Sequence, residues 1–149
     1  MLPRAKKSYS QNWLVDKTAI KKIIAAADIT PGETVLEIGP GTGILTRALV
    51  DAGAKVTAVE TDASLIEPLR AEFGDQIELI EADALLYTPS AAPYKLVANI
   101  PYSITSDILR RYLTIDPAPE RMVLLVQKEV ANRIVATPPD MSLLSVVCQ

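Results

Sequence analysis

Thr34-Val35-Leu36-Glu37-Ile38-Gly39-Pro40-Gly41-Thr42-Gly43 is the stretch of this 149-residue chain that settles its architecture. The first five residues read as a short, mostly apolar strand that runs straight into alternating glycines. Ile44 to Ala52 then continues as a helix, with Gly53 at its end. A strand that passes through glycines into a helix opens a parallel α/β unit. Glycines at such a turn let the backbone pass close to a ligand, because a Cβ would intrude.

The unit recurs on either side of this stretch. Upstream, Ile20, Ile23, Ile24 and Ala27 fall at helical spacing within Thr18 to Ala27, Asp16 is placed to cap the start, and Pro31-Gly32 makes a turn. Downstream, Lys55 to Glu60 reads as a strand, Ala63 to Phe73 as a helix closed by Gly74, Gln76 to Ile80 as a strand and Tyr94 to Ala98 as another. Ser106 to Leu113 is helical, Met122 to Val126 a strongly apolar strand and Glu129 to Ala136 a helix; Leu143 to Val147 is expected to begin a sixth strand. Strands alternating with helices imply right-handed crossovers and a parallel sheet covered on both faces. The expected fold is a doubly wound α/β domain, whose ligands bind beyond the carboxyl ends of the strands where the strand order reverses.

What the chain lacks narrows its chemistry. It has no histidine, which excludes a His-based triad, a His general base and most catalytic zinc sites; no metal is expected. A single cysteine, Cys148, excludes an intrachain disulfide and a thiolate metal cluster, and reads as a small hydrophobe rather than a nucleophile. No apolar run approaches the roughly 20 residues of a membrane span, and Met1 to Leu14 lacks the apolar centre of a secretory signal, so a cytoplasmic protein is expected. Catalysis here must rest on binding, positioning and a reactive cofactor.

The net charge of −3 is unevenly spread. Residues 1–22 carry six basic side chains against one acidic, for +5; residues 23–109 carry four against thirteen, for −9; residues 110–149 carry five against four, for +1. A basic arm on an acidic body, with Arg4, Lys6 and Lys7 at its start, suits local contact with nucleic-acid phosphates. On charge alone it suits a solubilising tail equally well. The division of the chain follows: a basic arm over 1–15 and a cofactor-binding catalytic domain over 16–149.

Two acidic side chains give the glycine loop a ligand. Glu60 ends the second strand, 21 residues after Gly39, where a carboxylate reaches the ribose hydroxyls of an adenine nucleotide. Asp83, in Glu81-Ala82-Asp83-Ala84 after the third strand, is placed to accept a bond from the adenine amino group, whereas Glu81 reads as a solvated strand-end charge. The glycine pattern of Gly39, Gly41 and Gly43 puts Ile44 where a dinucleotide fingerprint has its last glycine, and Glu37 leads the loop. That carboxylate repels a pyrophosphate and attracts the cationic sulfonium and amino groups of S-adenosylmethionine. The cofactor expected is therefore S-adenosylmethionine rather than a dinucleotide.

Asn99-Ile100-Pro101-Tyr102 follows the fourth strand and lies at the rim of the same crevice. These residue types suit methylation of an exocyclic adenine amine, a poor nucleophile whose lone pair is delocalised into the ring. The Asn99 side-chain oxygen and the backbone carbonyl before Pro101 accept the amine N–H bonds and stabilise the positive charge that develops on attack. Pro101 stiffens the turn, and Tyr102 offers a ring for an extruded base, a contact worth about 1 to 3 kcal/mol.

Taken together, Gln11-Asn12-Trp13-Leu14, the Glu37 to Gly43 loop, Glu60, Asp83, Asn99 to Tyr102 and Gln127-Lys128-Glu129-Val130-Ala131 resemble the ribosomal RNA adenine dimethyltransferase family, the small-subunit type above all. The resemblance implies a Rossmann-like class I S-adenosylmethionine-dependent methyltransferase fold, incomplete here at its C-terminal edge. It implies that Asn12 and Leu14 contact the methionine end of the cofactor, with Trp13 in place of a more usual Phe. It also implies dimethylation of adenine N6 in ribosomal RNA, with ribosomal RNA or a small-subunit precursor as partner. Family members continue beyond this length with a further strand, an aromatic-bearing loop and a helical domain. The chain alone is thus expected to bind cofactor with weak or no methylation, and to pair through an open sheet edge with a complementing chain or a second copy. A non-catalytic RNA-binding assembly factor of the same fold is the alternative; a DNA adenine methyltransferase fits the Gln11 to Leu14 arm less well.

Overall fold

A computed structural model describes residues 16–90 and 93–148, with backbone alone for Tyr102, Leu143, Val146 and Val147. The arm residues Arg4, Lys6, Lys7, Asn12, Trp13 and Leu14 lie outside the described residues. Elements follow in the order α1 (Lys17–Ala27), β1 (Thr34–Ile38), α2 (Ile44–Asp51), β2 (Lys55–Glu60), α3 (Ala63–Phe73), β3 (Ile77–Glu81), β4 (Lys95–Asn99), α4 (Thr105–Thr114), β5 (Arg121–Leu125), α5 (Lys128–Ile134) and α6 (Leu143–Cys148). The sheet is five-stranded, in the order β3-β2-β1-β4-β5, and every pairing is parallel. This is the doubly wound sheet that the alternating pattern implies. The chain steps outward from β1 to β3 and then jumps across β1 to β4, which places the reversal of strand order between β1 and β4.

Period-two alternation sorts the strand residues onto two faces. Val35, Val56, Ala58, Ile77 and Val97 pack with Ile23 and Ala27 of α1, Leu45 and Leu49 of α2, and Leu65, Leu69 and Phe73 of α3. Leu36, Ile38, Val59, Leu96 and Ala98 pack on the opposite face with Ile108 and Tyr112 of α4. The helices start where short polar side chains satisfy their first N–H groups. Asp16 accepts from the Thr18 N–H at 2.8 Å, and Asp62 accepts from Ser64 at the head of α3.

The direction of α1 matters for the site. Arg121, first residue of β5, donates to the Ala26 carbonyl, and Lys95, first residue of β4, donates to the Asp28 carbonyl. The end of α1 therefore lies at the amino ends of the strands. Eleven helical residues span about 16 Å, close to the length of a five-residue strand, so α1 begins at the carboxyl ends. Lys95 also meets Glu33 at 2.7 Å, and that partnership holds the Glu33 carboxyl below its ordinary pKa.

One expected element is different. Leu143–Cys148 is helical, and the sixth strand expected over Leu143 to Val147 does not form. A short apolar run carries no period of its own, and here local polar bonds decide. The Ser142 N–H donates to Ser145 Oγ at 2.9 Å, and the Ser145 hydroxyl, fully buried, donates to the Arg133 carbonyl at the end of α5. These bonds wind the segment and tie it to α5, so β5 is the last strand of this sheet edge among the described residues.

Candidate functional site

A cavity of about 480 Å³ opens at the reversal point, beyond the carboxyl ends of β1, β2, β4 and β5. Its wall includes Glu37, Gly39, Gly41, Glu60, Asp83, Asn99 and Pro101, so the structure brings together residues spread over 65 positions of sequence. Ala82 to Leu85 close one side; Ile100, Ser103 and Ile104 close the other. Leu125, Val126 and Gln127 complete the wall after β5.

The loop after β1 takes its shape from glycines in the left-handed region: φ is +67° at Gly39, +59° at Gly41 and +80° at Gly43. The third one departs from the expectation drawn from sequence. Gly43 does not line the cavity; a Cβ there would stand 2.6 Å from Phe73 Cε2 and 3.3 Å from Leu69. Its small size lets α2 start directly beneath α3. Gly43 thus shapes the pocket through helix packing, while Gly39 and Gly41 form its wall.

Glu37 is 1% exposed, and neither carboxylate oxygen has a hydrogen-bond partner among the described residues. The cause is its register: Ala58 of β2 and Val97 of β4 flank it in the sheet, both fully buried and apolar. Burial pushes its pKa up to about 8, and the charge of Glu60 adds to the rise. Thr46 of α2, also buried, pulls it partway back, although its hydroxyl makes no hydrogen bond of acceptable geometry. A buried carboxylate without a partner, aimed at a cavity, calls for a cationic or donor group in that cavity.

Glu60 is buried and heavily engaged. One oxygen accepts the Thr61 and Asp62 N–H groups, each at 2.9 Å, and the other accepts the Gly41 N–H at 3.2 Å. A carboxylate has about four acceptor positions, so this cradle fixes Glu60 and leaves room for a hydroxyl donor. Asp83 is exposed at the rim; Oδ1 accepts the Leu85 N–H at 2.8 Å, which sets the plane of the carboxylate. Glu81 ends β3 exposed, as a solvated charge should.

Across the cavity, Asn99 ends β4 and Pro101 (φ −55°, ψ 135°) turns the chain into a short 3-10 segment, Tyr102–Ile104, that leads into α4. The Pro101 carbonyl accepts the Ile104 N–H and the buried Thr105 hydroxyl, each at 3.2 Å, which holds the turn rigid. The side chain of Tyr102, expected to stack a base, lies outside the described residues, as do Asn12 and Leu14. Gln127 lines the cavity, a place that only its occurrence within Gln127 to Ala131 hinted at. Two further groups escaped the reading of the sequence. Thr46 sits one helical turn past the glycines with no motif to mark it. Tyr112 sits one turn after Ile108 on the buried face of α4, and its hydroxyl donates to the Ala84 carbonyl at 2.9 Å.

Comparison with known proteins agrees with this geometry. The family described as "Ribosomal RNA adenine dimethylase" matches residues 3–149. A protein of Dehalococcoides mccartyi named Ribosomal RNA small subunit methyltransferase A is 45% identical over 149 residues, covering 95% of this chain and 51% of its own length. Among solved structures, a dimethyladenosine transferase from Plasmodium falciparum superposes with a TM-score of 0.81 at 32% identity, covering 91% of this chain and 51% of that one. The 23S rRNA methyltransferase ErmE gives 0.73 at 39%, covering 82% and 50%. The chain thus spans about half the length of the relatives it matches, and its fold is the Rossmann-like class I methyltransferase fold. A glycine loop, paired acids and an Asn-x-Pro turn around one cavity, together with a family match across nearly every residue, place this chain in the ribosomal RNA adenine dimethylase family.

Proposed function

We propose that this chain is the S-adenosylmethionine-binding catalytic part of an enzyme that dimethylates adenine N6 in ribosomal RNA, the small-subunit RNA in particular. The observation that carries the reading is Glu37, a fully buried carboxylate without a hydrogen-bond partner among the described residues, in the wall of a cavity that Glu60, Asp83 and Asn99 share. S-adenosylmethionine fits that set of acceptors: it has cationic groups for Glu37, a ribose diol for Glu60 and a purine amino group for Asp83. When bound, it supplies an electrophilic methyl group.

The chain's own residues supply orientation. Asn99 and the carbonyl preceding Pro101 accept the N–H bonds of the target amine, holding its nitrogen toward the methyl donor and stabilising the positive charge that grows there. Tyr102 stacks the extruded base. Asn12 and Leu14 close over the methionine end, and the arm with Arg4, Lys6 and Lys7 meets RNA phosphates. Support for that arm comes from α1, whose start stands at the cavity's end of the sheet. The outer edge of β5 is where a complementing chain or a second copy would pair. A ribosomal RNA partner and a cytoplasmic site of action belong to the same proposal; among the described residues no helix is long and apolar enough to cross a membrane.

Titration calorimetry with S-adenosylmethionine and its demethylated product tests the cofactor. Labelled methyl transfer to immature small ribosomal subunits tests the reaction. Tyr102→Ala is expected to keep cofactor affinity and abolish transfer. RNA binding without methyl incorporation at saturating cofactor would instead favour the assembly-factor reading.

A further inference from the structure

The purine side of the cavity is a loop, Ala82 to Leu85, rather than a helix or strand. Loops of this kind hold a rim carboxylate in place only when something anchors their backbone. Here the anchor is α4. The Tyr112 hydroxyl, fully buried, donates to the Ala84 carbonyl at 2.9 Å, directly behind Asp83. One residue earlier, Arg111 Nη2 donates to the Tyr87 carbonyl at 3.2 Å and to Thr88 Oγ1 at 3.0 Å. At its other end the same helix holds the opposite wall, through the Thr105 hydroxyl and the Pro101 carbonyl.

We propose that Tyr112 is a positioning residue for purine recognition, holding the Ala84 carbonyl so that the Asp83 carboxylate stands where an exocyclic amino group can donate to it. This rests on the nucleoside reading of the cavity. The Asp83 side chain is itself exposed, so nothing in the core fixes it directly. What fixes it is its own loop: Oδ1 is bound to the Leu85 N–H, and the Leu86 and Tyr87 N–H groups return to the Asp83 carbonyl. That compact turn moves as a unit, and Tyr112 and Arg111 are its links to the helix. Burial pushes the Tyr112 phenol up to about 12, so it remains a donor at every working pH.

The test is Tyr112→Phe in the full chain, with calorimetric binding of S-adenosylhomocysteine and of S-inosylhomocysteine, which has a carbonyl in place of the 6-amino group. Wild type is expected to prefer the adenine form. In Tyr112→Phe that preference shrinks about five- to tenfold, through loss of the adenine ligand and not the inosine one. Tyr94→Phe is the matched control. Its hydroxyl also donates from a buried site in the same cluster to a carbonyl, that of Pro117 at 3.1 Å rather than one in the Ala82 to Leu85 loop. It is expected to lower thermal stability and leave the preference untouched. If Tyr112→Phe keeps the wild-type preference, or weakens both ligands equally, Tyr112 has no positioning role. If wild type binds neither ligand, the nucleoside reading fails first and this proposal falls with it.

Discussion

Replacing Glu37 with glutamine keeps the shape of the buried side chain and removes its ability to ionise. In the wild type the carboxyl pKa stands at about 8 in the fold against 4.5 for an ordinary glutamate. Between those values the folded chain holds a proton that the unfolded chain releases. The contribution is therefore fully retained below about pH 4.5 and is lost as pH rises toward 8. Each pH unit in that window is worth about 1.4 kcal/mol, so raising pH from about 5 to about 7.5 costs the unliganded wild type on the order of 3 kcal/mol. The Glu37→Gln variant has no such dependence. Urea unfolding across that range should give wild type and variant similar stability at the acid end and a gap that widens in favour of the variant with rising pH. Saturating S-adenosylmethionine should flatten the wild-type slope and bind the variant more weakly. Parallel stability curves for the two proteins across the whole range would refute the argument that Glu37 is buried without a partner.

Two further outcomes follow from the packing. Gly43→Ala places a methyl 2.6 Å from Phe73 in a left-handed backbone conformation, and should cost about 2 to 4 kcal/mol in urea unfolding while α3 shifts to admit it. Lys95→Met removes the cation that depresses the Glu33 pKa. A depressed carboxyl stabilises the fold above its ordinary pKa and loses that effect as pH falls through the lowered value. The variant should therefore lose stability at neutral pH and show a shallower acid limb in thermal melts from about pH 6 to 3.

Much of this fold was legible because each signal in the sequence was local. Asp16 caps α1, Gly53 and Gly74 follow their helices, and the strands lie within one residue of where the apolar runs put them. That Glu37, Glu60, Asp83 and Asn99 line one cavity was legible for the same reason: each stands at or near a strand end, and a parallel sheet gathers strand ends. Leu143 to Val147 misled because the deciding bonds come from Ser142 and from Arg133 ten residues upstream of the run, which no apolar period reveals. Gly43 misled because its neighbour in space, Phe73, is 30 positions away. Thr46 and Tyr112 act through contacts that exist only once α2 and α4 are seated.

The sheet is unevenly protected, and that has a kinetic consequence. β1 and β4 lie at its centre with almost no exposure, whereas β5 is only half-buried from Met122 to Leu125 and α5 buries no residue. Local opening begins where few apolar contacts must be broken. Amide protons of β5 and α5 should therefore exchange with deuterium well before those of β1, and the wall formed by Leu125, Val126 and Gln127 is the side that breathes. Ligand exchange through the cavity is expected past that yielding side, while Glu37 of β1 and Glu60 of β2, both buried, sit in the slow-exchanging half.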